Sequence, residues 1–139
     1  MALILPTDCG NSPRMALVAE LMAAWASGEH APVQEWLAEG SRWTLVGTAD
    51  QDDREARGGD QSAADETSRG GSAVVPAPFE AETGEILTVL NHGRLAACDG
   101  FLMRGEERVD FCHVIRFAGT GKTSRIREIR TYLQPSHAS

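Results

Sequence analysis

With 139 residues, 42% of them hydrophobic and 24% charged, the chain has the make-up of one globular domain (residues 1–139), not of a disordered, collagen-like or membrane protein. Thirteen basic against twenty acidic residues leave a formal charge of −7 without any concentrated cluster of lysine or arginine, which excludes nucleic acid as an expected partner. The longest apolar run is too short to cross a bilayer, so no membrane partner is expected either.

Met1 to Pro6 are apolar but lack the basic flank and cleavage site of a signal peptide. Cys9, Cys98 and Cys112 are odd in number and lack C-x-x-C spacing, which points to reduced thiols in a cytoplasmic protein rather than a disulfide framework or zinc site; no cofactor is expected. Ser12-Pro13 supplies a cap and a first-turn proline for a helix that stops at Gly28. Between them Met15, Val18, Met22 and Trp25 share a stripe, flanked by Leu17, Leu21 and Ala24, and Glu20 is the only charge from Met15 to Ser27. A helix that is apolar nearly all round is expected inside the cup of a curved sheet. A second, shorter helix begins near Pro32 and stops at Gly40, and Arg42 to Val46 reads as a strand.

From Thr48 to Ala73 there is no large apolar side chain. Such a segment cannot anchor a core element, so a polar flap or loop is expected at about 48–78, where Pro76 and Pro78 end it. The last third reads as four strands, Glu85 to His92, Arg94 to Arg104, Glu107 to Ala118 and Lys122 to Gln134, punctuated by Gly93, Gly105 and Gly119/Gly121. Two helices followed by an antiparallel meander give an α+β fold in which the sheet wraps the first helix.

Face parity identifies a candidate site. In the strand Arg94 to Arg104 the odd positions are Leu95, Ala97, Asp99, Phe101 and Met103; in Glu107 to Ala118 they are Val109, Phe111, His113, Ile115 and Phe117. Both odd sets are apolar with one exception, so the odd faces are expected to point inward. A three-residue connection, Gly105-Glu106-Glu107, then sets Phe101 against Phe111 and Asp99 against His113. A carboxylate facing an imidazole in an apolar cup can act as a general-base pair, or the two can simply satisfy each other. Asp99 and His113 are the candidate catalytic residues. Met22, Trp25, Trp43, Phe101, Phe111, Ile129 and Leu133 are the candidate pocket lining, and no metal ligands are expected. Cys98 and Cys112 are expected on the outer face with Arg94 and Arg116, where Val114 suggests a homodimer contact.

The order of elements, with Cys9-Gly10-Asn11-Ser12-Pro13, Ala26-Ser27-Gly28-Glu29, Trp43-Thr44-Leu45-Val46-Gly47, Asn91-His92-Gly93-Arg94, Phe111 to Phe117 and Ile126 to Tyr132, resembles the nuclear transport factor 2-like, or SnoaL-like, superfamily, in a bacterial subgroup without established activity. The resemblance implies a cone-shaped, cystatin-like fold with a deep pocket between sheet and first helix, and a homodimer through the outer face. The superfamily includes ketosteroid isomerases, polyketide cyclases and limonene-epoxide hydrolases besides proteins that only bind. The isomerases' tyrosine, base and acidic donor would fall here on Leu21, on Leu45 or Val46, and on His113. Arg108-Val109-Asp110 matches the hydrolases' Arg-x-Asp in letters, with Thr131 near the second aspartate's place. The expected function is therefore binding of a small hydrophobic molecule, the alternative being an isomerase, cyclase or hydrolase using His113 and Asp99.

Overall fold

The computed structural model describes residues 2–7, 12–47 and 74–137; the flap expected from Thr48 to Ala73 lies outside the described residues. In chain order the elements are β1 (Ala2–Ile4), α1 (Pro13–Ala26), α2 (His30–Trp36), β2 (Leu37–Val46), β3 (Thr83–His92), β4 (Leu95–Arg104), β5 (Glu107–Phe117) and β6 (Ile126–His137). Helix α1 starts and stops where its sequence dictates. The Ser12 hydroxyl accepts from the Met15 amide at 3.1 Å, Pro13 occupies the first turn, and Gly28 turns the chain away with φ +82°.

The six strands form one sheet in the order β1-β3-β4-β5-β6-β2. The four-strand meander is antiparallel, as expected, but both outer strands are parallel to their neighbours: β1 runs beside β3, and β2 beside β6. The apolar Ala2–Ile4 is thus a short strand, and β2 begins five residues before the expected Arg42. Leu37 pairs with Ile126, the chain bulges through Gly40 at φ +78°, and pairing resumes at Arg42 opposite Glu128.

The turns decide which faces are buried. Both β3–β4 and β4–β5 are joined by two residues, Gly93-Arg94 and Gly105-Glu106, with φ +59° at each glycine and no positive φ at any described non-glycine residue. That is the pattern of a type II′ hairpin, whose twist matches that of the flanking strands. The Arg104 guanidinium bonds Glu107 at 2.7 Å across the second turn, and the Gly105 amide donates to Glu82 at 3.0 Å.

With two loop residues instead of the expected three, the register moves by one, and in a strand one residue exchanges the faces. In β4 the even positions Ala96, Cys98, Gly100 and Leu102 are therefore inward, while β5 keeps its odd residues inward as expected. Gly100 has a packing reason. A Cβ there would collide with the Glu85 carbonyl oxygen and lie 2.8 Å from Cζ of Phe111. The small inner face of β4 leaves room for that ring and for Trp25 of α1, which meets Phe111 edge to face with centroids 5.3 Å apart.

The core lies between α1 and this face. Val18, Met22 and Trp25 of the helix pack with Ile86, Cys98, Leu102, Phe111, Ile115, Phe117, Ile126 and Ile129 of the sheet. After residue 73 the chain crosses as an irregular strap in which Val74, Ala77, Phe79 and Ala81 pack on the core, so the stretch up to 78 is not wholly polar loop.

Candidate functional site

His113 sits in the middle of β5, on the inner face, with no exposed surface. Its neighbours across the sheet are Cys98 on β4 and Thr131 on β6. The His113–Asp99 pair expected from the sequence does not form. Asp99 stands opposite Cys112 and Thr88 on the outer face, because the two-residue turn shifts β4 by one position. Phe101 goes with it: its ring lies on the outer face beneath the Arg108 guanidinium, 4.1 Å from centroid to Cζ, and does not line the space beside α1. Cys98 moves the other way, from the expected outer face into the core.

Of the other expected lining residues, Trp25, Trp43 and Phe111 place their rings beside His113. Met22, Trp25, Phe111 and Ile129 are buried, and Trp43 and Leu133 are partly buried at the margin. The imidazole meets Trp25 edge to face with centroids 4.3 Å apart, Phe111 at 5.2 Å and Trp43 at 6.3 Å.

The partner that sequence reasoning missed is Thr131. Its hydroxyl lies 2.8 Å from His113 Nδ1 and accepts from Trp43 Nε1 at 2.7 Å, so a hydrogen-bonded chain runs through β2, β6 and β5. The signal was present in the alternation Ile129-Arg130-Thr131-Tyr132-Leu133, which places Thr131 inward on a strand that must pair with β5. The other ring nitrogen, Nε2, is buried without a hydrogen-bond partner among the described residues. Burial among aromatic and aliphatic groups pushes the His113 pKa down to about 3, so the ring is neutral at physiological pH.

On the outer face the Asp99–Cys112 juxtaposition has the opposite character from a reactive pair. Burial, and then the Asp99 charge, raise the Cys112 thiol pKa, which keeps the sulfur protonated. No group of three His, Cys, Asp or Glu side chains among the described residues is placed to hold a metal ion. No described helix is long and apolar enough to cross a membrane.

Two cavities lie elsewhere among the described residues. The larger, of about 920 Å³, opens between the end of α1 and the strap, against Ser27, His30, Phe79, Glu80, Glu82 and Arg104. The smaller, of about 340 Å³, is bounded by Glu35, Trp36, Thr123 and Arg125. None of the expected site residues lines either.

No protein-family model matches the chain, and no curated protein is similar to it in sequence. Solved structures are similar in fold. A nuclear transport factor 2-like protein of unknown function from Burkholderia xenovorans LB400 superposes with a TM-score of 0.55 at 12% identity, over 91% of this chain and 86% of that one. A protein of unknown function from Mesorhizobium loti, also nuclear transport factor 2-like, gives 0.52 at 17% identity over 96% and 99%. The chain has the nuclear transport factor 2-like fold. A bacterial protein from Silicibacter pomeroyi DSS-3, described as having a cystatin-like fold, agrees with a TM-score of 0.54 at 14% identity, over 89% of this chain and 77% of that one.

Within the nuclear transport factor 2-like fold of this chain, the region between α1 and the sheet holds one neutral imidazole in an aromatic box. Its Nδ1 lies against the Thr131 hydroxyl, and its Nε2 is buried without a hydrogen-bond partner among the described residues. A neutral ring so placed can hydrogen-bond a bound molecule, but a ring held at so low a pKa is a weak base. Leu21 is an apolar core residue, and Arg108 bonds Asp110 at 2.9 Å on the outer face, so neither supplies a polar group to this box.

Proposed function

We propose that this protein is a binding domain for a small, mostly apolar molecule, held between the sheet and α1 in the box around His113. One observation carries the reading: the His113 Nε2, fully buried and without a partner, among the rings of Trp25, Trp43 and Phe111. A buried polar nitrogen left open costs about 1–3 kcal/mol, and apolar walls with one such group are the usual make-up of a small-molecule site. Entry requires the covering elements to move. The strap is the element to do so, because beyond packing it is tied to the helix at Trp25, whose indole N–H donates to the Val75 carbonyl at 2.7 Å.

Proton-transfer chemistry by a His113–Asp99 pair gains no support, since the two side chains occupy opposite faces of the sheet. The domain is read as a cytoplasmic homodimer through the outer face, where Leu90, Leu95, Val114 and Tyr132 are each at least 40% exposed and form an apolar surface for a second copy.

Native mass spectrometry of the purified protein, followed by NMR screening of apolar cyclic fragments, tests the binding reading. A retained small molecule, or a fragment that shifts the His113 and Trp25 side-chain signals together, is the expected result. A protein that retains nothing, and whose His113 signals no fragment moves, would overturn it. Light scattering at micromolar concentration tests the dimer, and a monomer mass refutes it.

A further inference from the structure

The chain from Trp43 to His113 also sets which polar group the box accepts, an inference that rests on the binding reading above. An indole N–H can only donate, so Trp43 Nε1 uses Thr131 Oγ1 as an acceptor. The hydroxyl has one hydrogen of its own, and His113 Nδ1 lies 2.8 Å away to receive it. This arrangement satisfies the indole, the hydroxyl and Nδ1 together and leaves the single proton of the neutral ring on Nε2. The other tautomer would aim two N–H donors at one hydroxyl and deprive its hydrogen of the nearby ring acceptor. Nε2 is the ring nitrogen that is buried without a partner among the described residues.

We infer that Trp43 and Thr131 are positioning residues that hold His113 as a hydrogen-bond donor, so that the box selects molecules presenting a hydrogen-bond acceptor, such as an ether or ester oxygen. Groups that can only donate are rejected, because they would meet the Nε2–H with a second hydrogen. Neither Trp43 nor Thr131 needs to touch the ligand. Their effect reaches it through the ring.

Two measurements separate the parts of the inference. In long-range ¹H–¹⁵N spectra of the free protein near pH 7, His113 should show a protonated, pyrrole-type Nε2 and an unprotonated Nδ1 whose shift reports an accepted hydrogen bond. Thr131→Ser should preserve that signature and Thr131→Val should lose it. Should Thr131→Val fail to fold, Trp43→Phe, which removes the indole donor together with part of the ring, should populate both tautomers. A protonated Nδ1 in the wild type, or a Thr131→Val or Trp43→Phe spectrum unchanged at His113, overturns the assignment whatever binds.

The second measurement uses phthalan and indane, two bicyclic probes that differ by an ether oxygen in place of one CH₂ group. Phthalan should bind roughly three- to tenfold more tightly, the worth of one hydrogen bond. Equal affinity overturns the acceptor selectivity. If neither probe moves the His113 or Trp25 signals while Nε2 is protonated, the binding reading fails and the ligand class falls with it, leaving the tautomer assignment standing.

Discussion

Acidification from pH 7 to pH 5 should remove about 2 kcal/mol of stability through His113 alone. Burial holds this imidazole at a pKa of about 3 in the fold, whereas in the unfolded chain it titrates near 6.5. Because the folded value is the lower one, the contribution is fully present above the unfolded pKa and is lost as pH falls from about 6.5 toward 3. Over that window only the unfolded chain takes up the proton. At pH 5 the mismatch amounts to about 1.5 pH units at roughly 1.4 kcal/mol each. The assay is urea denaturation of the wild type and of His113→Asn at pH 7, 6 and 5. Asparagine does not titrate and keeps an acceptor near the place of Nδ1 for the Thr131 hydroxyl. The variant loses ring volume and is less stable throughout, so the quantity read is the difference between the two proteins as pH changes. That difference should shrink by about 2 kcal/mol between pH 7 and pH 5, or roughly 1 M in urea midpoint for a domain of this size. Parallel pH profiles would show that the imidazole is protonated in the native state, and the reasoning from burial would be wrong.

Gly100→Ala should cost at least about 1–3 kcal/mol, because the added methyl meets the Glu85 carbonyl and the Phe111 ring, and backbone cannot step aside; thermal denaturation measures it. Ser12→Ala should cost about 1 kcal/mol by removing the acceptor for the Met15 amide, a loss that helix content during denaturation reports. Asp99→Asn should leave the His113 signals unchanged, since the two lie on opposite faces, and should make Cys112 alkylate faster at a given pH by removing the charge that helps hold its thiol protonated. Iodoacetamide kinetics in a Cys9→Ser background, with Cys98 buried, give that rate.

Much of the architecture was legible because its local signals are strong. Ser12, Pro13 and Gly28 bracket α1, and glycines end three of the four meander strands within a residue or two of the observed limits. The candidate site was only half legible, for a reason of arithmetic. Apolar alternation in β4 does not choose a face: Leu95, Phe101 and Met103 make the odd side look like core, while the true inner side is Ala96, Cys98, Gly100 and Leu102. The large residues face outward, and the small ones lie beneath Trp25 and Phe111, so residue size misleads where packing against a helix requires room. Only the number of residues in the Gly105-Glu106 turn resolves the choice, and Glu107 can be read into either loop or strand. The Trp43–Thr131–His113 chain needed the pairing of β2 with β6, a parallel contact between distant segments that no local pattern announces.

That parallel pairing has a consequence for how the molecule is made. Trp43 and Thr131 are separated by 88 positions along the chain, and β1 joins β3 across a similarly long gap. During synthesis both α1 and β2 leave the ribosome well before the strands that cover them, so the nearly uncharged helix is exposed to solvent and to chaperones until the meander emerges. Hairpins β3–β4 and β4–β5, closed by two-residue turns, can form as soon as they are made, while the two outer strands must await long loop closures. Folding should therefore proceed outward from the centre of the sheet, with the indole–hydroxyl–imidazole contact among the last to form. A nascent chain arrested before residue 126 would hold His113 in place without the strand that orients it.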